Sequence, residues 1–156
     1  MTQTELLQIV TGFLGSFGFA IIFNIRGKKL IFTALGGFLS WTIFVLLKFL
    51  TPNEPIRYFL VAVLISLYAE ILARLLKTPT TTFVITSLIP LIPGGSLYYT
   101  MSSAFSGNVT QFLDRGLYTM QLAVALALGI VLNSAAVKML LKTTEYFKHL
   151  RKKLPK

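Results

Sequence analysis

The chain has 156 residues, 54% of them hydrophobic, with 15 lysines and arginines, five acidic residues and a formal net charge of +10. A charged content of 13%, against the roughly 25% of an ordinary soluble domain, with positive mean hydropathy, describes a single integral membrane domain spanning residues 1–156. Cysteine is absent and the one histidine, His149, lies in a basic tail, so disulfides, thiolate zinc sites and histidine metal clusters are excluded and no cofactor is expected.

Apolar runs approaching the roughly 20 residues that cross a bilayer as helix recur along the chain. The first covers about Leu6 to Ile25, and its flank carries Glu5 and no basic residue, so it reads as a retained span and not a cleaved signal peptide. Asn24 near its end either terminates the helix ahead of Arg26 and Gly27 or hydrogen-bonds across helices. The second span covers about Leu30 to Leu50 and the third about Ile56 to Leu76, each bounded by charge or proline. Glu70 is the acidic residue inside the third span, and Arg74 stands four residues on, the favourable order for an i,i+4 pair. This pair has two readings: Glu70 neutralises Arg74 as it snorkels to the cytoplasmic interface, or Glu70 is a proton-coupling carboxylate.

The fourth segment, about Thr80 to Phe105, contains the most informative stretch, Ile89-Pro90-Leu91-Ile92-Pro93-Gly94-Gly95-Ser96. Pro90 and Pro93 each lack an N–H and clash with the carbonyl four residues back, at Thr86 and Ile89, while Gly94 and Gly95 are expected to let the backbone turn. In hydrocarbon such irregular backbone survives only buried in protein or lining a wet cavity, and a helix restarting near Ser96 would aim unpaired N–H groups at an anionic or zwitterionic solute. The expected substrate-binding set is therefore Pro90, Pro93, Gly94, Gly95, Ser96, Tyr98, Tyr99 and Thr100. The alternatives are a kink that serves packing alone and, for the tyrosines, an aromatic belt at the outer interface. Thr78 to Thr82, with Pro79, read as the entry turn of this segment.

Span five is expected to follow Asp114-Arg115-Gly116, from about Leu117 to Leu141, with Asn133 and Ser134 as interhelical glue ahead of a basic tail, 142–156. Small residues at Gly12, Gly15, Gly18, Gly36, Gly37, Ser40, Ala125 and Gly129 read as packing faces. Five spans place the termini on opposite sides, and the Lys/Arg bias puts the N-terminus outside. Arg26, Lys28, Lys29, Arg74, Lys77 and the tail are then cytoplasmic, and Lys48, Arg57 and Arg115 lie outside. A re-entrant hairpin in the fourth segment would send the basic tail outside, so one broken crossing is expected.

Gly18-Phe19-Ala20-Ile21-Ile22-Phe23-Asn24 closing span one, with Ile89-Pro90-Leu91-Ile92-Pro93-Gly94 and Tyr98-Tyr99-Thr100-Met101 in span four, resemble the threonine/serine exporter family. The length and the absence of a soluble domain resemble the small five-span subunit of the split, two-component form. That resemblance implies a larger partner with a cytoplasmic region and five further spans, and export driven by the proton gradient.

The function these readings lead to is a small membrane subunit of a secondary exporter in a bacterial cytoplasmic (inner) membrane. It would move small carboxylate metabolites, threonine and serine first, with dicarboxylates such as succinate as the alternative substrate class. A non-transporting accessory subunit and a channel remain as rival readings, and assembly into a higher homo- or hetero-oligomer is left open. The tail also suits contact with anionic lipid. An enzyme is not expected, because no span carries a histidine, a carboxylate dyad or a serine with a visible base. Nucleic acid is not expected as a partner either, since the cations flank apolar segments and form no basic face on a folded domain.

Overall fold

The computed structural model describes the backbone of residues 2–153 and the side chains of residues 2–143. Every regular element among these residues is helical: α1 (Gln3–Ile22), α2 (Lys28–Leu47), α3 (Glu54–Leu75), α4 (Thr80–Leu88), a 3-10 turn (Ile89–Leu91), α5 (Gly94–Phe105) and α6 (Val109–Lys153). Helices α1, α2, α3 and α6 are long and apolar enough to cross a membrane. The pair made by α4 with its 3-10 turn and α5 meets the same criterion and is bent by 57° at the break, so the span count is four, or five with that pair as one.

Local sequence sets the helix ends. At α1 the Thr2 hydroxyl accepts from the Glu5 N–H while the Glu5 carboxylate accepts from the Thr2 N–H at 2.9 Å, satisfying two donors reciprocally. Helices α1, α3 and α5 end alike, with Asn24 (φ 56), Lys77 (φ 48) and Gly107 (φ 71) in the left-handed region. The next N–H then reaches back to a carbonyl of the last turn: Ile25 to Ala20 (2.9 Å), Thr78 to Ala73 (2.9 Å) and Asn108 to Ser103 (3.1 Å). Asn24 is thus a helix-ending residue, and its Oδ1 accepts from Arg26 Nε at 2.8 Å.

Gly107 and Asn108 place the start of the last helix ahead of the expected start of the last span. The turn lies here, with Asn108 Oδ1 accepting from the Gln111 N–H at 3.1 Å, and Asp114-Arg115-Gly116 sits inside α6 and not in a preceding loop. Hydropathy marks only the apolar part of this helix, because charged side chains are tolerated on an exposed helical turn beyond the apolar window. At its other end α6 continues past Leu141 to Lys153, and residues 154–156 of the basic tail lie outside the described residues.

Helix α1 lies on α2, α4 packs between α2 and α3, α6 runs along α3, and α5 leans onto α6. Where lipid is as apolar as leucine, helices associate through close contact and interhelical hydrogen bonds more than through water exclusion. Three glycines allow that contact. A Cβ on Gly37 would lie 2.9 Å from the Gly12 carbonyl and collide with Ser16; one on Gly36 would lie 2.7 Å from Ser87 Cβ; one on Gly129 would lie 2.6 Å from Ala62 Cβ and 2.7 Å from the Phe59 carbonyl. Gly15 and Gly18, by contrast, face open space. Between the helices Phe44, Tyr58, Val61, Ile65, Leu88, Leu91 and Leu122 form one buried cluster. Leu88 and Leu91 flank Pro90, so one side of the break is sealed in protein.

Two cross-links mark the ends of the bundle. The Tyr118 hydroxyl of α6 donates to the carboxylate of Glu54 at the start of α3, and the Thr80 hydroxyl of α4 donates to Glu70 near the end of α3 at 2.9 Å.

Candidate functional site

Backbone geometry at the break differs in detail from the expectation. The turn is carried by Ile92 (φ −60, ψ 124) and Pro93 (φ −73, ψ 55), and Gly94 and Gly95 are ordinary helical residues outside the positive-φ region. The prolines alone suffice to stop the helix, so the glycines are not needed for the turn. The Ile92 N–H returns to the Ile89 carbonyl at 3.1 Å, which gives that carbonyl a 3-10 partner in place of the helical one that Pro93 cannot supply. Helix α5 restarts at Gly94, two residues before the expected Ser96. Pro93 offers no side-chain cap, and the first i to i−4 bond is Leu97 N–H to Pro93 carbonyl at 3.0 Å, so the N–H groups of Gly95 and Ser96 precede it.

Two cavities flank the break. The first, about 310 Å³, is lined by Gln8, Thr11, Gly12, Gly15, Trp41, Ile89 and Pro90. Trp41 Nε1 is itself buried and has no hydrogen-bond partner among the described residues. The second, about 280 Å³, is lined by Ser96, Tyr99, Arg115 and Tyr118.

The expected binding residues divide between these places. Pro90 lines the first cavity; Ser96 and Tyr99 line the second. Pro93 is half-buried between them, with Gly94 and Gly95 exposed beside it and no atom within 4 Å of an added Cβ at either glycine. Tyr98 is 68% exposed and meets Tyr99 edge to face at 5.5 Å. Thr100 is buried, its hydroxyl 2.8 Å from the Ser96 carbonyl and 3.1 Å from Thr119 Oγ1, so it is spent on joining α5 to α6. Neither Tyr98 nor Thr100 lines the two cavities.

Arg115 and Tyr118 are the residues that sequence reasoning missed. Both belong to the part of α6 that hydropathy assigned to a loop or to the edge of a span, and the usable signal was the Gly107-Asn108 turn with its asparagine cap. The Arg115 guanidinium lies over the Tyr99 ring, 5.5 Å from its centroid, and Nη1 donates to the Tyr99 carbonyl at 3.3 Å.

Glu70 lies toward the opposite end of α3. One carboxylate oxygen accepts from Arg74 at 2.6 Å and the other from Thr80 at 2.9 Å, and the side chain keeps 20% of its surface exposed. The expected i,i+4 pair is therefore also a tether to the first turn of α4. Asn133 is buried on α6. Among the described residues, no three His, Cys, Asp or Glu side chains gather as metal ligands do.

Apolar helices with large side chains turned outward, around an interrupted pair with its core side sealed and cavities on its flanks, define a multi-pass helical membrane protein. Residues 8–136 match the family described as Threonine/Serine exporter, ThrE, and the chain belongs to that family. The family is one of transporters, and the chain is accordingly a membrane exporter by family. No curated protein and no solved structure matches the chain.

Proposed function

We propose that this chain is the small subunit of a proton-driven secondary exporter, working with a larger homologous subunit in a bacterial inner membrane. Its cargo is a small carboxylate metabolite, threonine or serine first. The observation that carries this reading is the α4–α5 break: buried on one side, flanked by cavities, and opening a helix whose first N–H groups have no side-chain cap. A helix start of this kind carries partial positive charge and free donors, which favour a carboxylate. The family match supports export of an amino acid.

The broken pair is one crossing in this reading. Its start is tethered to Glu70 near the end of α3, while Tyr99 lies beside Arg115 and Tyr118, and Tyr118 holds Glu54 at the start of α3. These contacts support a pair that connects the two ends of the bundle and does not return to its origin. With the N-terminus outside, Arg26, Lys28, Lys29, Arg74 and Lys77 face the cytoplasm, in accord with the positive-inside rule.

Alternating access takes place around the break. Glu70 is the coupling group: as a carboxylate it draws Arg74 and Thr80 together, and a proton on it removes the charge that both donors hold. The hold of α3 on the first turn of α4 then weakens, and the two halves of the broken pair are freer to move against the bundle.

Proteoliposomes test this directly. Efflux of labelled threonine, serine and succinate is measured with and without an imposed proton gradient, for this chain alone and together with its larger subunit. Gradient-driven efflux only with both chains supports the exporter. Gradient-independent flux turns the reading to a channel, and no flux of the three solutes by the assembled pair refutes it.

A further inference from the structure

The cations at the outer end of the bundle are not equivalent. Lys48 is paired with Glu5 at 3.0 Å, and Arg57 lies over the Phe44 ring in a cavity of about 360 Å³ whose lining includes both Glu5 and Glu54. These two cations have carboxylates at hand within the chain. Arg115 does not. Its cavity is lined by Ser96, Tyr99, Arg115 and Tyr118 and contains no acidic side chain. Among the described residues the ion pairs are Lys48 with Glu5 and Arg74 with Glu70, and Arg115 joins neither.

Arg115 is nevertheless held in place. One Nη1 hydrogen is bound to the Tyr99 carbonyl and the guanidinium plane rests near the Tyr99 ring, so of five N–H donors most stay open in a fixed fork. Tyr118 is fixed from behind, since its hydroxyl is committed to Glu54. The result is a cavity of about 280 Å³ with one cation in its lining and aromatic rings on two walls, the Glu54 carboxylate being engaged by the Tyr118 hydroxyl. That volume is near the lower end of the roughly 300–1,000 Å³ typical of small-molecule pockets.

We infer that Arg115, seated between Tyr99 and Tyr118, is the carboxylate-recognising residue at the outer end of the export path. The ligand class is a small solute with a carboxylate, bound by the guanidinium fork, with the Ser96 hydroxyl as a second polar contact. This assignment rests on the exporter reading for its place in a transport path. The chemistry of the cavity itself, an unpaired arginine in an aromatic pocket, stands apart from that reading.

The test uses the full chain in phosphatidylcholine nanodiscs, with arginine modification by phenylglyoxal read residue by residue by mass spectrometry. L-threonine, L-serine and succinate at about ten times their Kd slow labelling of Arg115 about tenfold, because only the unoccupied fraction reacts, and leave exposed Arg26 unchanged. L-threoninol, which keeps the amine and hydroxyl and lacks the carboxylate, gives no protection. Equal protection at Arg26, protection by threoninol, or no protection by any carboxylate overturns the assignment. Protection that comes with phosphatidylglycerol in the disc, and is not increased by solute, makes the occupant a lipid phosphate and also overturns it.

Transport separates this inference from the reading beneath it. In the two-chain exporter Arg115→Gln raises the apparent KM for the carboxylate solute about tenfold, and Arg115→Lys, which keeps charge without the fork, falls between. Unchanged KM in Arg115→Gln refutes the role of Arg115 while leaving the exporter intact. Carboxylate protection of Arg115 in a pair of chains that exports none of these solutes supports the site and removes the exporter.

Discussion

Glycines that look alike in the sequence do different work. Gly36, Gly37 and Gly129 sit where a neighbouring helix leaves no room for a methyl group, while Gly15, Gly94 and Gly95 have nothing within 4 Å of an added Cβ. Gly37→Leu and Gly129→Val should each lower stability by about 1–3 kcal/mol, because the obstacles are backbone or short side chains that cannot swing away. Gly15→Ala, in the interior of α1 with open space around it, should not destabilise and should gain up to about 1 kcal/mol from helix propensity. Loss of helical ellipticity on heating in detergent measures both. Glu70 supplies the other prediction at this scale. Glu70→Gln keeps a group that can still accept from Thr80 and removes the titrating charge. Solute exchange should persist in that variant while the response of efflux to an imposed proton gradient disappears.

Among the elements, α4 and α5 carry the proposed function, and their bend has an assignable cause. Pro90 and Pro93 interrupt the helix, Leu88 and Leu91 anchor one side of the interruption in the core, and Gly94 and Gly95 are regular first-turn residues. Alanine at either glycine therefore has no steric or conformational reason to disturb this chain. Gly94→Ala and Gly95→Ala should leave its melting unchanged, so a fall in efflux by either reports an object outside the chain, solute or partner subunit, close to that surface. Gly94→Leu extends the same test with a larger probe, and retained efflux in all three variants would count against a solute path at the start of α5. The last helix makes the complementary point: Asn108 caps it and the Asp114-Arg115-Gly116 triplet rides inside it, which brings Arg115 to Tyr99.

At the scale of the whole molecule, the two ends of the bundle carry different chemistry. One end has the Glu70, Arg74 and Thr80 cluster with basic loops; the other has Glu5 with Lys48, Glu54 with Tyr118, and Arg115 with Tyr99. In the proposed orientation the first end is cytoplasmic. The natural absence of cysteine makes single-cysteine labelling clean. Ser106→Cys, in the turn between α5 and α6, should react with a membrane-impermeant maleimide on intact cells, and Lys28→Cys, at the start of α2, only after permeabilisation. The reverse pattern would invert the topology, and labelling of both from one side would make the broken pair a re-entrant loop.

The sequence by itself determined the membrane class, the first three helices to within a few residues, the place of the break and the i,i+4 pairing of Glu70 with Arg74. These follow from effects local in the chain: apolar runs of bilayer length, prolines that cannot continue a helix, and residues one turn apart. Membership of the exporter family was legible in the same way, from motifs that are contiguous in sequence. The tertiary structure decided what depends on separate segments meeting. It joined Thr80 to Glu70, spent Thr100 on Thr119, left Tyr98 exposed, and gathered Ser96, Tyr99, Arg115 and Tyr118 around one cavity. No local pattern encodes those encounters, because they depend on the angle at which α5 leaves the break and on the face that α6 turns toward it.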